Sequence, residues 1–124
     1  MAVTLTESVR NGIADYVTSR VNDGGGGYLE FLSTTGQIVA RLQFSATAFQ
    51  PAVNGIATTN PVTGDSFTYG GVISDFRVVS GNDVEIFSGS VSVISGGGDV
   101  ELSALSISEN DIVKISQLTF TAPS

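Results

Sequence analysis

The sequence predicts a mainly β domain, a jelly-roll-like or Greek-key β-sandwich of about seven or eight strands with one N-terminal amphipathic helix. Three observations carry this. Apolar and polar residues alternate with period two through residues 38–44, 67–79 and 84–94, as in strands with one buried face. Clusters of Gly, Asn, Ser and Pro separate these runs at short intervals, where turns are required. A helical period occurs once, in the first 22 residues.

In that opening segment Leu5, Val9, Ile13, Val17 and Val21 recur every four residues, with Tyr16 beside them. This spacing predicts a helix from about residue 5 to 22 with one apolar stripe. Thr4 and Glu7 have the spacing of a capping box, and Asn11-Gly12 weakens the middle by about 1 kcal/mol relative to alanine. The stripe must be buried on the chain's own β domain or on a neighbour. Its own domain is favoured, because Tyr16 and Val17 would otherwise stay exposed. Asp23 and the run Gly24–Gly27 end the helix and read as a flexible hinge. The glycines follow the helix instead of preceding its N-terminus, and no lysine is near, so a phosphate cradle is not indicated. The predicted organisation is a single domain: helix 1–23, hinge 24–27, β-sandwich 28–124.

The strands fall in order. Residues 28–32 form a short apolar strand, and Thr34-Thr35-Gly36 turns the chain. Ile38, Ala40, Leu42 and Phe44 then share a face opposite Val39, Arg41 and Gln43. Residues 45–65 read as a long surface loop, punctuated by Pro51, Asn54-Gly55, Pro61 and Gly64, with one short strand near 55–59. The centre of the chain is a long hairpin, residues 67–94. On its first arm Val72, Ser74, Phe76 and Val78 share a face while Asp75 and Arg77 oppose them, and Gly81 and Asn82 supply the positive φ of its corner. Gly96-Gly97-Gly98 turns into a strand at 100–102, and 105–107 continue as strand. In 111–122, Val113 and Ile115 lie on one parity and Leu118 and Phe120 on the other, so a β-bulge at Ser116-Gln117 is expected. Phe76, Val78, Leu118 and Phe120 are expected to share a core with Leu42 and Phe44.

Composition excludes several function classes. Twelve acidic and five basic residues give a net charge of −7 over 124 residues, and scattered cations suit neither nucleic acid nor an anionic membrane. With no His and no Cys, the commonest general bases, nucleophiles and transition-metal ligands are missing. No serine stands in a Gly-x-Ser-x-Gly elbow; Ser88-Gly89-Ser90 reads as part of the hairpin. The pairs Asp83/Glu85, Asp99/Glu101 and Glu109/Asp111 could in principle serve a glycosidase or Ca²⁺. Lacking the density of a calcium loop and lying beside turns, they read as solvated turn residues. Seven Phe, three Tyr and no Trp make a sugar-stacking platform unpromising. The start lacks the basic and apolar regions of a signal peptide, and no apolar run approaches the ~18–20 residues that span a bilayer. No catalytic, cofactor-binding or metal residue is therefore assigned, and no cofactor. Only 14% of residues are charged, against about 25% in ordinary soluble domains. So neutral a surface suits contact with other protein, or is simply a weakly charged β domain. The contact residues expected are Phe49, Pro51, Val53 and Asn54, because loops carry contacts more often than core. Phe49 as a loop anchor tucked into its own domain is the alternative.

Several segments stand in a telling order: Leu5-Thr6 with Arg10-Asn11, Gly24–Gly27, Ala48-Phe49, Gly55-Ile-Ala-Thr-Thr-Asn60, Asp75-Phe76-Arg77-Val78, Gly89-Ser90-Val91 and Ile115-Ser-Gln-Leu-Thr-Phe-Thr121. Together they resemble a family of small tailed-bacteriophage virion proteins, over nearly the whole chain. No single motif is specific; their order is. The chain departs from the family pattern at Asp75, where an aromatic residue is usual, and in a shortened segment after Leu32. The resemblance implies a structural and non-enzymatic role. Its leading form is a capsid decoration (cement) protein on the outer surface of the virion, made in the host cytoplasm. The partners would be the major capsid protein or other virion proteins, in a homotrimer or lattice-bound oligomer. A tail or head–tail junction component is second, and a carbohydrate-binding module or enzyme is the alternative of a different class.

Overall fold

The computed structural model of the protein describes residues 4–64, 68–115 and 117–122. The chain is mainly β with one N-terminal helix, as the sequence predicts. Helix α1 (Glu7–Ser19) runs into a tight 3-10 segment, Arg20–Gly25, that breaks at Asp23 and Gly24. Nine short strands follow among the described residues: β1 (Tyr28–Leu32), β2 (Ile38–Gln43), β3 (Ile56–Thr58), β4 (Gly71–Val72), β5 (Asp75–Val79), β6 (Glu85–Val93), β7 (Val100–Leu102), β8 (Ser106–Ile107) and β9 (Thr119–Thr121).

Five of these make one sheet in the order β2-β1-β5-β6-β7, and the others form two ribbons, β3–β9 and β4–β8. The pair β6–β7 is parallel, which departs from the antiparallel pairing that a jelly roll or Greek key implies. Parallel neighbours ordinarily need a crossover of about a dozen residues or more. Here the chain reverses within residues 94–99, and two carboxylates pin the reversal. Glu101 accepts the Ser95 and Gly97 N–H groups at 3.2 Å each, and Asp99 accepts from Ser90 N at 3.0 Å. One of the three acidic pairs is thus a structural clasp.

The long hairpin is present from β5 onward, but its first arm is split. Ile73 is fully buried and donates its N–H to Leu105, whereas Val72 is 58% exposed on the β4–β8 ribbon. The predicted shared face of Val72 with Phe76 and Val78 is therefore corrected: the strand breaks at Ile73-Ser74, between β4 and β5, where successive N–H groups go to Leu105 O and Leu32 O, and the parity resets there. Phe67 and the bulge expected at Ser116 lie outside the described residues. At the corner, positive φ falls on Asp83, not on Gly81 or Asn82. Gly81 serves close approach: a Cβ there would lie 2.5 Å from the Gly24 carbonyl oxygen.

The same contact bears on the glycine run. A Cβ on Gly27 would fall 2.3 Å from the Val79 carbonyl oxygen, and Gly81 N donates to Asp23 O at 2.8 Å. Where the sequence suggests a free hinge, two of the four glycines press the helix end against the β5–β6 corner.

The core lies on one face of the sheet. Phe31, Leu29, Leu42 and Val78 are fully buried, with Phe76, Leu118 and Phe44 nearly so. Phe87 is its hub, with ring centroids 5.1 Å from Phe120, 6.4 Å from Phe76 (edge-on) and 6.5 Å from Phe49, which in turn meets Phe44 at 5.8 Å. All six expected core residues join this cluster.

Candidate interface surfaces

The helix docks on its own domain, and the stripe read from the sequence takes part: Val21 is fully buried and Ile13 packs against the core. Ala14 and Thr18 are its buried residues, while Val9 is 48% and Tyr16 64% exposed. Residues Asn11, Asp15, Thr18 and Asn22 share a face of a 3.6-residue helix, and this polar row makes the contact. Asn11 Oδ1 accepts from Gly55 N at 2.7 Å, Asp15 Oδ1 from Ala52 N at 2.8 Å and Asn22 Oδ1 from Ala48 N at 2.8 Å. Three loop amides that no strand could pair are thus satisfied by one helix face. Of the stripe, Val9 stays outside this contact; the facing surface is built of small residues, with Ala57 fully buried and Ala122 at 3%. The cap also moves: Thr6, not Thr4, accepts from Val9 N.

This ladder shapes the loop that carries the predicted contact residues. Val53 and Ile56 exchange backbone hydrogen bonds across Asn54 and Gly55, at φ 55° and 75°. Two central residues at positive φ make a primed hairpin turn, for which Asn-Gly is the preferred pair. Gly55 is required by its positive φ; the Arg10 guanidinium that packs on it, 2.7 Å from where a Cβ would lie, ends a flexible side chain and could give way. At the tip Val53 is 66% and Ile56 40% exposed. Asn54 and Pro51 are exposed as well. Phe49 is corrected: only 6% exposed, its ring lies between Phe44 and Phe87. The reason is local, because Phe49 pairs with Thr59 across a bridge and so alternates inward. A crevice of about 250 Å³ lies between the helix and this loop, bordered by Asp15, Asn22 and Pro51.

The other face of the sheet carries a row of charge. Glu30 stands opposite both Arg41 and Arg77 in register. Arg77 Nε reaches Glu30 Oε1 at 2.6 Å; Arg41 Nε lies 3.1 Å from Oε2, an ion pair without hydrogen-bond alignment. Arg41 also pairs with Asp83 at 2.9 Å and lies 3.9 Å above the Tyr28 ring. The Glu30 side chain is only 3% exposed, covered by its partners. Among the described residues two cations face two anions, and the row serves as a cross-strand tie. No signal in the sequence singles out Glu30 beyond its parity.

Among the described residues no group of three or more His, Cys, Asp or Glu is placed to hold a metal ion. Asp83 pairs with Arg41, Asp99 and Glu101 pin the reversal, and Asp111 accepts from Ser108 N at 2.8 Å. No described helix is long and apolar enough to cross a membrane. Comparison of the chain with known protein families, characterised proteins and solved structures gives no match.

Proposed function

We propose that this chain is a structural protein of a tailed-bacteriophage virion, acting as a β-sandwich-like decoration protein on the capsid. The observation that carries the reading is the 53–56 hairpin tip. It exposes an apolar pair, Val53 and Ile56, on a turn fixed by three helix-to-loop hydrogen bonds. A rigid apolar tip loses little conformational freedom on docking, as a lattice contact repeated many times requires. The neutral surface and the order of the virion-like segments agree with it. Pro51, Val53 and Asn54 remain the proposed contact residues, with the major capsid protein as the partner.

Copy number in purified particles is the test. Hundreds of copies per particle support decoration, whereas a dozen or fewer move the protein to the tail or the head–tail junction. Absence from particles ends the virion reading. In the decoration case, Val53→Asp should leave the melting temperature unchanged and abolish particle binding.

A further inference from the structure

The 53–56 turn holds a reactive pair of residues that the helix keeps apart. Asn-Gly occurs twice in the chain, at 11–12 and at 54–55. In such a pair the glycine nitrogen can attack the asparagine side chain, because no glycine side chain hinders the approach. Gly12 lies inside α1, where the helical ladder occupies its N–H. Asn54 is exposed on a turn while Gly55 is buried, and what holds Gly55 is tertiary. Gly55 N donates to Asn11 Oδ1 at 2.7 Å, and Gly55 O accepts from Ala122 N at 2.8 Å. The Arg10 guanidinium also packs on Gly55, its Nε buried without a hydrogen-bond partner among the described residues. That positive charge favours the amide anion which the attack requires. The φ of 55° at Asn54 opposes it, since ring closure takes Asn54 out of the left-handed region.

We propose that Asn54 is a site of spontaneous deamidation, gated by the hydrogen bond from Gly55 N to Asn11. When that bond opens, Gly55 N loses its proton to solvent hydroxide and bonds to Asn54 Cγ. The Cγ–Nδ2 bond breaks, and Nδ2 takes a proton from water and leaves as ammonia. Water then opens the cyclic succinimide. Attack at Cγ leaves aspartate; attack at the main-chain carbonyl carbon leaves isoaspartate, in which the chain runs through the former side chain. The net change is the gain of a water and the loss of an ammonia, with no oxidant or reductant. Either product places a carboxylate between Val53 and Ile56, and isoaspartate also lengthens the backbone of a turn whose geometry is tight. A converted copy thus differs from a fresh one at the surface proposed for docking. The chemistry itself does not depend on the virion reading.

The test incubates the full-length protein beside a blocked peptide of residues 51–58 at mildly alkaline pH. Products at Asn54 are followed by mass spectrometry, with enzymatic methylation to mark isoaspartate. The protein should convert at least about tenfold more slowly than the peptide, because reaction waits on local opening. Asn11→Ala frees the Gly55 N–H and should speed conversion about tenfold, the scale of one lost hydrogen bond. Asn11→Asp keeps the acceptor and should convert no faster than the unaltered protein. Asp15→Ala loosens the same contact at Ala52 but leaves Gly55 held, and should speed conversion by less than about threefold. If Asn11→Ala melts near the assay temperature, the protein-to-peptide ratio and Asn11→Asp decide. Equal rates in protein and peptide, acceleration by Asn11→Asp, or Asp15→Ala matching Asn11→Ala would each overturn the gate. A folded Asn11→Ala protein that shows no conversion while the peptide reacts would remove the site itself.

Discussion

Phe87 concentrates more aromatic contact than any other described ring, touching Phe49, Phe76 and Phe120. Truncating a buried phenylalanine costs about 3–5 kcal/mol, a large part of the ~5–15 kcal/mol that holds a small domain together. Phe76→Ala, with its side chain 3% exposed, should therefore leave little folded protein, whereas Phe87→Ala, at a partly buried ring, should lower the melting temperature by less. Phe49→Ala belongs to the same class: its melting temperature should fall by a similar amount, and an unchanged value would contradict the packing described. Glu30 sets a different problem. Substituting Glu30→Gln leaves Arg41 and Arg77 side by side without their shared anion. The two side chains are 38% and 37% exposed, so water screens part of the repulsion. A loss of about 1–3 kcal/mol is expected in urea unfolding. A change within about 0.5 kcal/mol, the range of ordinary surface substitutions, would show the row to be ornamental.

At the level of elements, the helix and the 48–55 loop stabilise each other. Neither has enough local interaction to hold its form: a 13-residue helix is marginal alone, and the loop amides at 48, 52 and 55 have no strand partner. Asn11→Ala would leave the Gly55 N–H unsatisfied at a cost of about 1–3 kcal/mol. Asn11→Asp keeps the acceptor and should recover most of that. Equal losses from the two variants would mean that the contact is steric and not a hydrogen bond. Deleting residues 1–23 removes all three acceptors and uncovers Ala57 and Ala122, so the remainder should aggregate or lose its cooperative melt. A soluble, cooperatively melting truncation that fails only to join a particle would assign the helix to a neighbour instead.

For the molecule as a whole, charge is spent inward. Arg20, Arg41 and Arg77 all pair within the chain, while Glu7, Asp75, Glu85 and Glu109 are exposed. The outward field is therefore acidic, and at −7 it keeps copies apart at low salt. Under the proposed role, contacts would rest on neutral surfaces such as the Val53–Ile56 tip. Raising salt from about 0.05 to 0.5 M should then leave particle binding intact, since screening weakens only charged contacts; binding that falls several-fold with salt would remove the apolar tip from the account.

Local patterning was legible where one face of an element is buried and the other is not. The strands β1, β2, β3 and β7, the Phe76–Phe120 core and the presence of a helix all follow from period and turn chemistry in the sequence. The Asn54-Gly55 turn does too, because positive φ restricts the residue types that can form it. For the helix, the stripe foretold the packing of Val21 and Ile13, but tertiary structure alone decided the polar contact beside it. Hydrophobic periodicity cannot register that the facing loop offers three amides for which Asn and Asp are better partners than Val. It also decided that β7 runs parallel to β6, since that reversal rests on carboxylates reaching backbone N–H groups several residues away. Phe49 turned inward for a similar reason: its direction depends on a bridge to Thr59, and no alternation within residues 45–52 announces that pairing.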